Sequence, residues 1–168
     1  MQKSELLKKL IEYNCIHNKK DIKLSAGSNT SIYYDIKKAI GIPDLFSFIT
    51  LELNNIIPQN STIVAVSTGG IPYASALSFM SKQNLAYVRE NKKNYGMNNI
   101  IEGIIDHNKT IYILDDVCTT GKSIVSAESN VRKYITTKYN INPEIKLVCI
   151  VDRQYHNLNI MSLLKAPK

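Results

Sequence analysis

The sequence predicts an α/β fold with a central, mostly parallel sheet flanked by helices. From about residue 60 onward, short apolar runs alternate with longer stretches of helical periodicity, the pattern of strand–helix–strand units. Residues 111–114 are all apolar or aromatic, as in a central strand that is covered on both faces. A chain of 168 residues has an ordinary size for one domain. We therefore expect a single domain over residues 1–168, with its core in residues 60–154.

The first 60 residues are expected to form two helices and one short extended segment. Ser4 is a suitable N-cap for a first helix. Residues 21–31 are polar and rich in turn-forming residues, and residues 32–36 predict a short strand or one arm of a hairpin. Pro43 favours the first turn of a second helix, which Pro58 is expected to end.

Strands and helices then follow one another in regular alternation. Four strands are predicted from short apolar runs, at residues 62–66, 85–88, 111–114 and 145–151. Helices are predicted over residues 71–82 and 123–139. Residues 89–108 are polar and lack a sustained period, which is typical of a functional loop or lid, or of a hairpin that the pattern does not reveal.

Composition limits the class of ligand without naming one. The formal net charge is +7, but the lysines are scattered along the chain and form no aromatic-interleaved basic stripe. This distribution favours an anionic small molecule over a nucleic acid, although charge alone does not decide between them. The three cysteines fit no metal-binding spacing, and no apolar run approaches the length of a membrane span. We therefore expect a cytoplasmic protein with reduced thiols and no membrane association.

Four polar segments come directly after predicted strands, and we expect them to form one active site. They are residues 67–70, 89–96, 115–123 and 152–153. In a parallel sheet, ligands bind at the carboxyl ends of the strands, because those ends meet at one edge. Each segment alone would be a weak indication, whereas four segments at the same edge predict a shared site.

The third of these segments combines two acids with an anion-binding loop. Asp115 and Asp116 follow the apolar strand, and residues 119–123 supply hydroxyls, backbone amides and the flexible Gly121 ahead of a helix. The N-terminus of that helix would direct its free N–H groups and its positive dipole end at an anion. Acids beside an anion site indicate a ligand that carries both phosphate and hydroxyl groups, together with a divalent cation.

Two other interpretations of this segment fit less well. A P-loop needs a glycine five residues before Gly121, where this chain has Asp116, whose charge would repel the enclosed phosphates. A receiver-type phosphoacceptor has its acid pair on the first strand of the domain, whereas here the pair lies deep in the chain.

Residues 112–123 resemble the phosphoribosyl-pyrophosphate signature of type I phosphoribosyltransferases, with a hydrophobic strand, two acids, a Thr-Thr-Gly loop and a serine. Further segments resemble orotate phosphoribosyltransferases in particular and occur in that family's order. They are residues 24–27, 31–35, 67–72, 89–96 and 152–154. The resemblance covers roughly residues 5–154. It implies the type I phosphoribosyltransferase fold, with a small N-terminal hood over residues 1–40 that shapes the base site and a flexible lid loop.

The resemblance implies that the chain transfers a phosphoribosyl group from phosphoribosyl pyrophosphate to orotate. It assigns catalytic roles to Arg89, Lys93, Asp115 and Asp116. It assigns contacts with phosphoribosyl pyrophosphate to Arg89, Lys92, Lys93, Tyr95, Asp115, Asp116, Val117, Cys118, Thr119, Thr120, Gly121, Lys122 and Ser123. It assigns the pyrophosphate to Ser67, Thr68, Gly69 and Gly70. It assigns orotate binding to Ser25, Tyr33, Tyr34, Thr119 and Arg153.

The resemblance also implies a cofactor and a partner. Mg²⁺ would be held mainly by substrate oxygens and water, without a direct protein ligand. The lysine-bearing lid would close over the active site of a neighbouring subunit, which implies a homodimer.

Two positions in the lid depart from the family's pattern. Glu90 stands where a second basic residue is common, and Tyr95 stands where histidine is common. Both reduce the positive charge of the lid, and they keep open a non-catalytic regulator that binds phosphoribosyl pyrophosphate. A purine-base transferase is the other alternative, disfavoured because Arg153 suits a carboxylated base. Residues 160–164 are expected to form a last, shortened strand.

Overall fold

The structure is a computed structural model that describes residues 2–23, 29–89 and 100–166. The predictions made for Ser25, Glu90, Lys92, Lys93 and Tyr95 lie outside these described residues. Among the helices of the described part, none is long and apolar enough to cross a membrane.

The described residues form five helices and eight strands. The helices are α1 (Gln2–Glu12), α2 (Ile36–Ala39), α3 (Pro43–Ile56), α4 (Gly70–Ser81) and α5 (Lys122–Tyr139). The strands are β1 (Ile16–Lys23), β2 (Asn29–Tyr34), β3 (Ser61–Val66), β4 (Asn84–Val88), β5 (Ile101–Gly103), β6 (Thr110–Cys118), β7 (Ile145–Asp152) and β8 (Ile160–Lys165).

The main sheet confirms the predicted mostly parallel architecture. Within the described residues its order is β5-β4-β3-β6-β7-β8, and β4, β3, β6, β7 and β8 pair in parallel. The edge strand β5 pairs antiparallel with β4. Because β3 and β6 lie in the middle, their residues are covered on both faces, which explains their continuous apolar runs.

Alternate residues of β6 enter two separate cores. Tyr112 and Leu114 belong to the buried cluster that β6 shares with α1, α3 and α4. Ile111 and Ile113 belong to the cluster that contains the apolar face of α5. Each fully buried isoleucine or leucine contributes about 1.5–3 kcal/mol from its removal from water. The two cores confirm that helices cover both faces of the sheet.

An N-terminal hairpin forms a separate two-stranded sheet. β2 confirms the predicted hairpin arm, and it pairs antiparallel with β1 through Ile16–Tyr34 and His17–Tyr33. The sequence analysis missed β1, because its polar and lysine-rich sequence has low strand propensity and forms a strand only by pairing with β2. The buried hydroxyl of Tyr73 in α4 donates to the carbonyl of Ile36 at 2.8 Å, which ties the end of this hairpin region to the main sheet's helices.

Several predicted boundaries shift in the structure. Ser4 lies inside α1 and is not its N-cap, because the helix begins at Gln2. β6 runs on to Cys118, so the acid pair lies within the strand instead of after it. Part of the segment 89–108 is a hairpin, since the Arg89 N–H donates to the Ile100 carbonyl and β5 pairs with β4. β8 confirms the expected last strand.

Candidate active site

The carboxyl ends of β3, β4, β6 and β7 meet at one edge of the sheet. Their parallel registers bring Val66 beside Val88, and Cys118 beside Asp152. Backbone hydrogen bonds continue beyond the strands, from Ser67 N–H to the Val88 carbonyl at 3.2 Å and from Arg153 N–H to the Cys118 carbonyl at 2.8 Å. The segments after these four strands are therefore neighbours, as the sequence predicted.

The two acids of β6 point to opposite faces of the sheet. Asp115 is buried and lines a small cavity of about 50 Å³ with residues 117–124, on the α5 side. Asp116 is partly exposed and lies against Gly69, at the start of α4. Each carboxylate accepts a hydrogen bond from the backbone of the next residue. Asp115 Oδ1 accepts from Asp116 N–H at 2.9 Å, and Asp116 Oδ1 accepts from Val117 N–H at 2.8 Å. Asp115 thus faces the loop between β6 and α5, and Asp116 faces the turn between β3 and α4.

The environment of Asp115 opposes its ionisation. Burial raises the pKa of the Asp115 carboxyl well above its ordinary value, and the neighbouring charge of Asp116 raises this pKa further. A buried carboxylate in this position needs donors or cationic charge to remain ionised. Hydroxyl groups of a bound ligand, or developing positive charge on it, would meet that need.

The loop between β6 and α5 has the features of an anion site. Gly121 is the N-cap of α5 with φ +77, a left-handed conformation that glycine adopts without strain. Lys122 and Ser123 follow it in the exposed first turn, where backbone N–H groups have no partner within the helix. Cys118 lies buried beneath the loop, and the pKa of its thiol is lowered mainly by a hydrogen bond with Cys149. The buried Cys118 thiol thus forms part of the floor of the loop.

The turn between β3 and α4 approaches β6 more closely than any side chain would permit. A Cβ at Gly69 would overlap the carboxylate of Asp116, and a Cβ at Gly70 would overlap the carbonyl oxygen of Leu114. The peptide bond between Ser67 and Thr68 is cis. The backbone of Gly69 therefore lies directly beside the Asp116 carboxylate, and that of Gly70 lies beside the backbone of β6.

Arg89, at the end of β4, lines cavities together with residues of both turns. With Ser67, Lys122, Ser123 and Ser126 it lines a cavity of about 270 Å³. Its guanidinium Nη1 lies 3.5 Å from Glu102 Oε1, and both side chains are about a third exposed. Lys122 and Arg89 give this cavity cationic walls, which suits a ligand with more than one anionic group.

Arg153 lies buried at the end of β7, beneath the N-terminal hairpin. Its Nη1 donates to the Ile32 carbonyl at 2.9 Å, and its guanidinium carbon lies 5.6 Å from the Tyr34 ring and 5.7 Å from the Tyr155 ring. Only 3% of the residue is exposed. The arginine therefore connects the hairpin with the edge of the main sheet where the other segments meet.

Sequence relatives decide the family. No family model matches the chain. The chain is 32% identical over 164 residues to the orotate phosphoribosyltransferase of Archaeoglobus fulgidus, an alignment that covers 95% of this chain and 87% of that protein. The chain belongs to the orotate phosphoribosyltransferase family.

Other members of the orotate phosphoribosyltransferase family align over a smaller share of their length. The protein of Pyrobaculum aerophilum is 38% identical over 112 residues, covering 66% of this chain and 58% of that protein. The chain thus spans little more than half of that relative. The crystal structure of orotate phosphoribosyltransferase from Aeropyrum pernix superposes with a TM-score of 0.75 at 24% identity, covering 95% of this chain and 93% of that one. The predicted type I phosphoribosyltransferase fold is confirmed.

The structure brings together most of the described residues that the resemblance to this family assigned to the site. Residues 67–70, Arg89, the acid pair, residues 117–123 and Arg153 all lie at the carboxyl edge of the sheet. Tyr34 lies beside Arg153, whereas Tyr33 lies on the opposite face of β2. There its ring stacks on His17, with 6.3 Å between the ring centroids. The roles assigned to these residues stay predictions.

Sequence reasoning missed three residues of this edge. Ser126 lines the cavity beside Arg89, and its spacing of three from Ser123 on α5 was a usable signal. Tyr155 lies against Arg153, and Leu158 packs against Gly121. The sequence around residues 155–158 does not indicate the contacts of Tyr155 and Leu158. They depend on the path of the connection between β7 and β8, which brings these residues back towards Arg153 and Gly121.

Proposed function

We propose that the protein is an orotate phosphoribosyltransferase that uses Mg²⁺. The proposal rests on one observation: the acid pair, two turns that lead into helices and Arg153 lie together at one edge of the sheet. The Archaeoglobus fulgidus relative, which carries the name of this activity, supports it. A ring nitrogen of orotate forms a bond to the anomeric carbon of phosphoribosyl pyrophosphate and gives up its proton to solvent, and the bond from that carbon to the pyrophosphate oxygen breaks. The products are orotidine 5′-monophosphate and pyrophosphate.

The loop of residues 119–123 binds the 5′-phosphate in this proposal. Its support is the helix N-terminus at Lys122, the hydroxyl side chains and the turn at Gly121. Residues 67–70 bind the pyrophosphate, because they lead into the N-terminus of α4, where a helix presents backbone N–H groups that can bind an anion. Arg89 lines cavities with residues of both turns and offsets the charge that the leaving pyrophosphate gains.

Asp115 and Asp116 bind the ribose hydroxyls and favour a transition state with positive charge on the sugar. Electrostatic stabilisation of this kind is strongest where the carboxylate is already buried and fixed, as Asp115 is. The raised pKa of Asp115 means that the free protein holds a proton there more readily than an exposed aspartate does. Donation by two ribose hydroxyls favours the ionised form, so ligand binding and ionisation of Asp115 support each other.

Mg²⁺ fits the donors at this edge. Among the described residues, no group of three or more His, Cys, Asp or Glu side chains is arranged to hold a metal ion. Asp116 is a partly exposed carboxylate beside the pyrophosphate turn, and Mg²⁺ usually combines one or two carboxylates with substrate phosphates and water. When bound, Mg²⁺ would neutralise phosphate charge, with substrate oxygens as its main ligands.

Arg153 selects orotate by pairing with its carboxylate. A guanidinium presents parallel N–H donors that match a carboxylate, and the tyrosine rings at 5.6 and 5.7 Å fix its plane. Tyr34 would form one wall of the base site. Ser25 and Thr119, also assigned to orotate by the family resemblance, complete the proposed set, whereas Tyr33 lies on the other face of β2 against His17.

The loss of orotate absorbance with phosphoribosyl pyrophosphate and Mg²⁺ tests this function directly. Uracil, adenine and hypoxanthine serve as parallel substrates, and Asp115→Asn as the inactive control. Orotate alone should be consumed. Consumption of hypoxanthine or adenine instead would establish a purine-base transferase. Binding of phosphoribosyl pyrophosphate without turnover of any base would establish a regulator.

We also propose a homodimer in which the lid that carries Lys92 and Lys93 closes over the neighbouring subunit. Subunit complementation tests this arrangement. Lys93→Ala and Asp115→Asn each remove activity, and mixed dimers of the two variants should regain part of it, because one of their two sites has an intact lid and an intact acid pair. Without recovery after verified subunit exchange, the shared lid is wrong.

A further inference from the structure

The connection between β7 and β8 lies against the loop proposed to bind the 5′-phosphate. It spans residues 153–159, and the family resemblance assigns only Arg153 within it a role. Arg153 N–H donates to the Cys118 carbonyl at 2.8 Å, immediately before that loop. This hydrogen bond joins the first residue of the connection to the residue that precedes the phosphate loop. Two later residues of the connection, His156 and Leu158, lie near the loop at Gly121.

Leu158 fills the space beside Gly121. A Cβ at Gly121 would overlap Cδ1 of Leu158, and His156 Cβ would lie 3.9 Å from it. Leu158 is partly buried against the core on the α5 side, so its contact with Gly121 is backed by packed side chains. Gly121, in the middle of the phosphate loop, is the N-cap of α5 with φ +77. Leu158 thus supports the loop at the residue where the chain turns into α5.

His156 holds the backbone of Leu158 in place. Its Nδ1 accepts from Leu158 N–H at 3.2 Å, which requires a ring whose Nδ1 carries no proton. Its Nε2 lies 3.0 Å from Asp152 Oδ1, and both side chains are more than nine-tenths buried, with 6% and 5% exposed. Asp152 Oδ1 also accepts from Gln154 N–H at 2.7 Å. Asp152 therefore lies beside the imidazole, and Nδ1 of the imidazole holds the backbone of Leu158.

We propose that Leu158, held by His156, is a positioning residue for the phosphate loop. Asp152 at the end of β7 pairs with Cys118 of β6, so the chain of contacts begins on the sheet and ends at Gly121. The inference rests on the proposed function, since it assumes that residues 119–123 bind the 5′-phosphate. Neither Leu158 nor His156 touches the ligand; each acts on binding by fixing the backbone amides of the loop.

Two probes separate positioning from loss of structure. Ribose 5-phosphate carries the phosphate of this loop, and inorganic pyrophosphate with Mg²⁺ reports on residues 67–70 instead. In titration calorimetry, Leu158→Ala should weaken the binding of ribose 5-phosphate about tenfold. This loss is smaller than the ~100-fold that a 1 Å misplacement of a functional group can cost. Pyrophosphate affinity should stay unchanged. Equal weakening of both probes, or of neither, overturns the proposal. Asn157→Ala, an exposed change in the same connection, is the matched control.

A double variant tests the contact with Gly121. Gly121→Ala introduces both backbone strain and overlap with Leu158, and Leu158→Ala removes only the overlap. Ribose 5-phosphate should therefore bind the double variant more tightly than it binds Gly121→Ala alone. If the losses of ribose 5-phosphate affinity in the two single variants simply add in the double variant, Leu158 does not act through Gly121.

The conservative variants of His156 test how Leu158 is held. Asparagine places an oxygen where Nδ1 accepts from Leu158 N–H, whereas leucine has no acceptor. His156→Asn should keep the wild-type affinity for ribose 5-phosphate, and His156→Leu should lose about as much as Leu158→Ala. The reverse order overturns the role of His156. Because both probes bind without turnover, a protein that fails to consume orotate still tests the inference, so failure of the proposed function is distinguishable.

Discussion

The carboxylate of Asp116 fills the space that a side chain at Gly69 would need. Gly70 is equally crowded, but the atom beside it is the carbonyl oxygen of Leu114 in β6. A carboxylate on a partly exposed side chain can rotate away, whereas the backbone of a central strand is held by hydrogen bonds to both neighbours. Adjacent glycines in one turn therefore serve different purposes, one at the acid pair and the other in the packing of the sheet.

The first prediction separates these two purposes. Gly69→Ala should displace the Asp116 carboxylate and lower turnover at least tenfold, on the scale of a small misplacement of a reacting group, while the melting temperature hardly changes. Gly70→Ala should lower the free energy of unfolding by about 1–3 kcal/mol, the usual cost of overpacking. Steady-state kinetics and thermal melting measure the two effects. Gly41→Ala is the control, because its Cβ would lie 3.5 Å from the Lys38 carbonyl, an ordinary contact. Equal losses of stability at Gly69 and Gly70 would contradict the distinction.

The second prediction follows from the buried carboxyl of Asp115. Burial and the charge of Asp116 raise its pKa in the folded state above the unfolded value, so the folded chain binds the proton more tightly. Stability therefore falls as pH rises from the ordinary aspartate pKa to the raised one, and the loss is complete above the raised pKa. Asp115→Asn removes this loss and keeps an oxygen that can accept from Asp116 N–H.

Asp115→Asn should thus be more stable than wild type at neutral pH by about 1 kcal/mol, and inactive. Near pH 4, about the ordinary pKa of aspartate, the two proteins should be equally stable. Urea unfolding at several pH values measures the difference. An Asn variant that is less stable than wild type at every pH would show that the ionised carboxylate is favourable in the fold.

The third prediction concerns the coupling between the two acids. The charge of Asp116 raises the pKa of Asp115, so Asp116→Asn should lower that pKa. Carboxyl carbon NMR of the Asp115 side chain should therefore show its titration at a lower pH in the variant than in wild type. Glu144→Gln, an exposed acid at the opposite end of the sheet, should leave the titration unchanged. An unshifted midpoint in Asp116→Asn would mean that burial alone sets the Asp115 pKa.

The parts of the fold that the sequence predicted are those that depend on local periodicity. The strands β3, β4, β6 and β7 have continuous apolar runs, because both faces of a parallel sheet are covered. β1 has no such pattern, and its pairing with β2 across the chain is what makes it a strand. The edge at which the site assembles followed from parallel topology, which the alternation of strands and helices already implied.

The contacts within the site could not be predicted in the same way. The overlap of Gly69 with Asp116 joins residues 47 positions apart, and that of Gly121 with Leu158 joins residues 37 positions apart. Such distances along the chain leave no local pattern. The separation of Tyr33 from Tyr34, by contrast, was available from the sequence, since neighbouring strand residues point to opposite faces.

The fourth prediction concerns Arg153, to which the proposed function gives a role in base recognition beside its structural contacts. Its Nη1 bonds the Ile32 carbonyl, and Tyr34 and Tyr155 lie over the guanidinium. Arg153→Lys retains the charge but loses the planar fork and the stacking, so it is not a conservative change here. The KM for orotate should rise about 10–100-fold, which corresponds to about 1.4–2.7 kcal/mol. The KM for phosphoribosyl pyrophosphate should stay within about twofold of wild type, because the proposed function assigns phosphoribosyl pyrophosphate to residues 67–70 and 119–123 and orotate to Arg153.

Tyr155→Leu gives the matched comparison, since it removes one stacked ring and leaves the guanidinium fork and the Ile32 hydrogen bond intact. If the fork recognises the carboxylate, Tyr155→Leu should raise the orotate KM far less than Arg153→Lys does. Uracil, which has the same ring without the carboxylate, adds a second criterion. Arg153→Lys should reduce the preference for orotate over uracil, because only orotate has a carboxylate that can lose its pairing with the guanidinium. A variant that weakens binding of both bases equally would assign Arg153 to the support of the hairpin instead of to base selection.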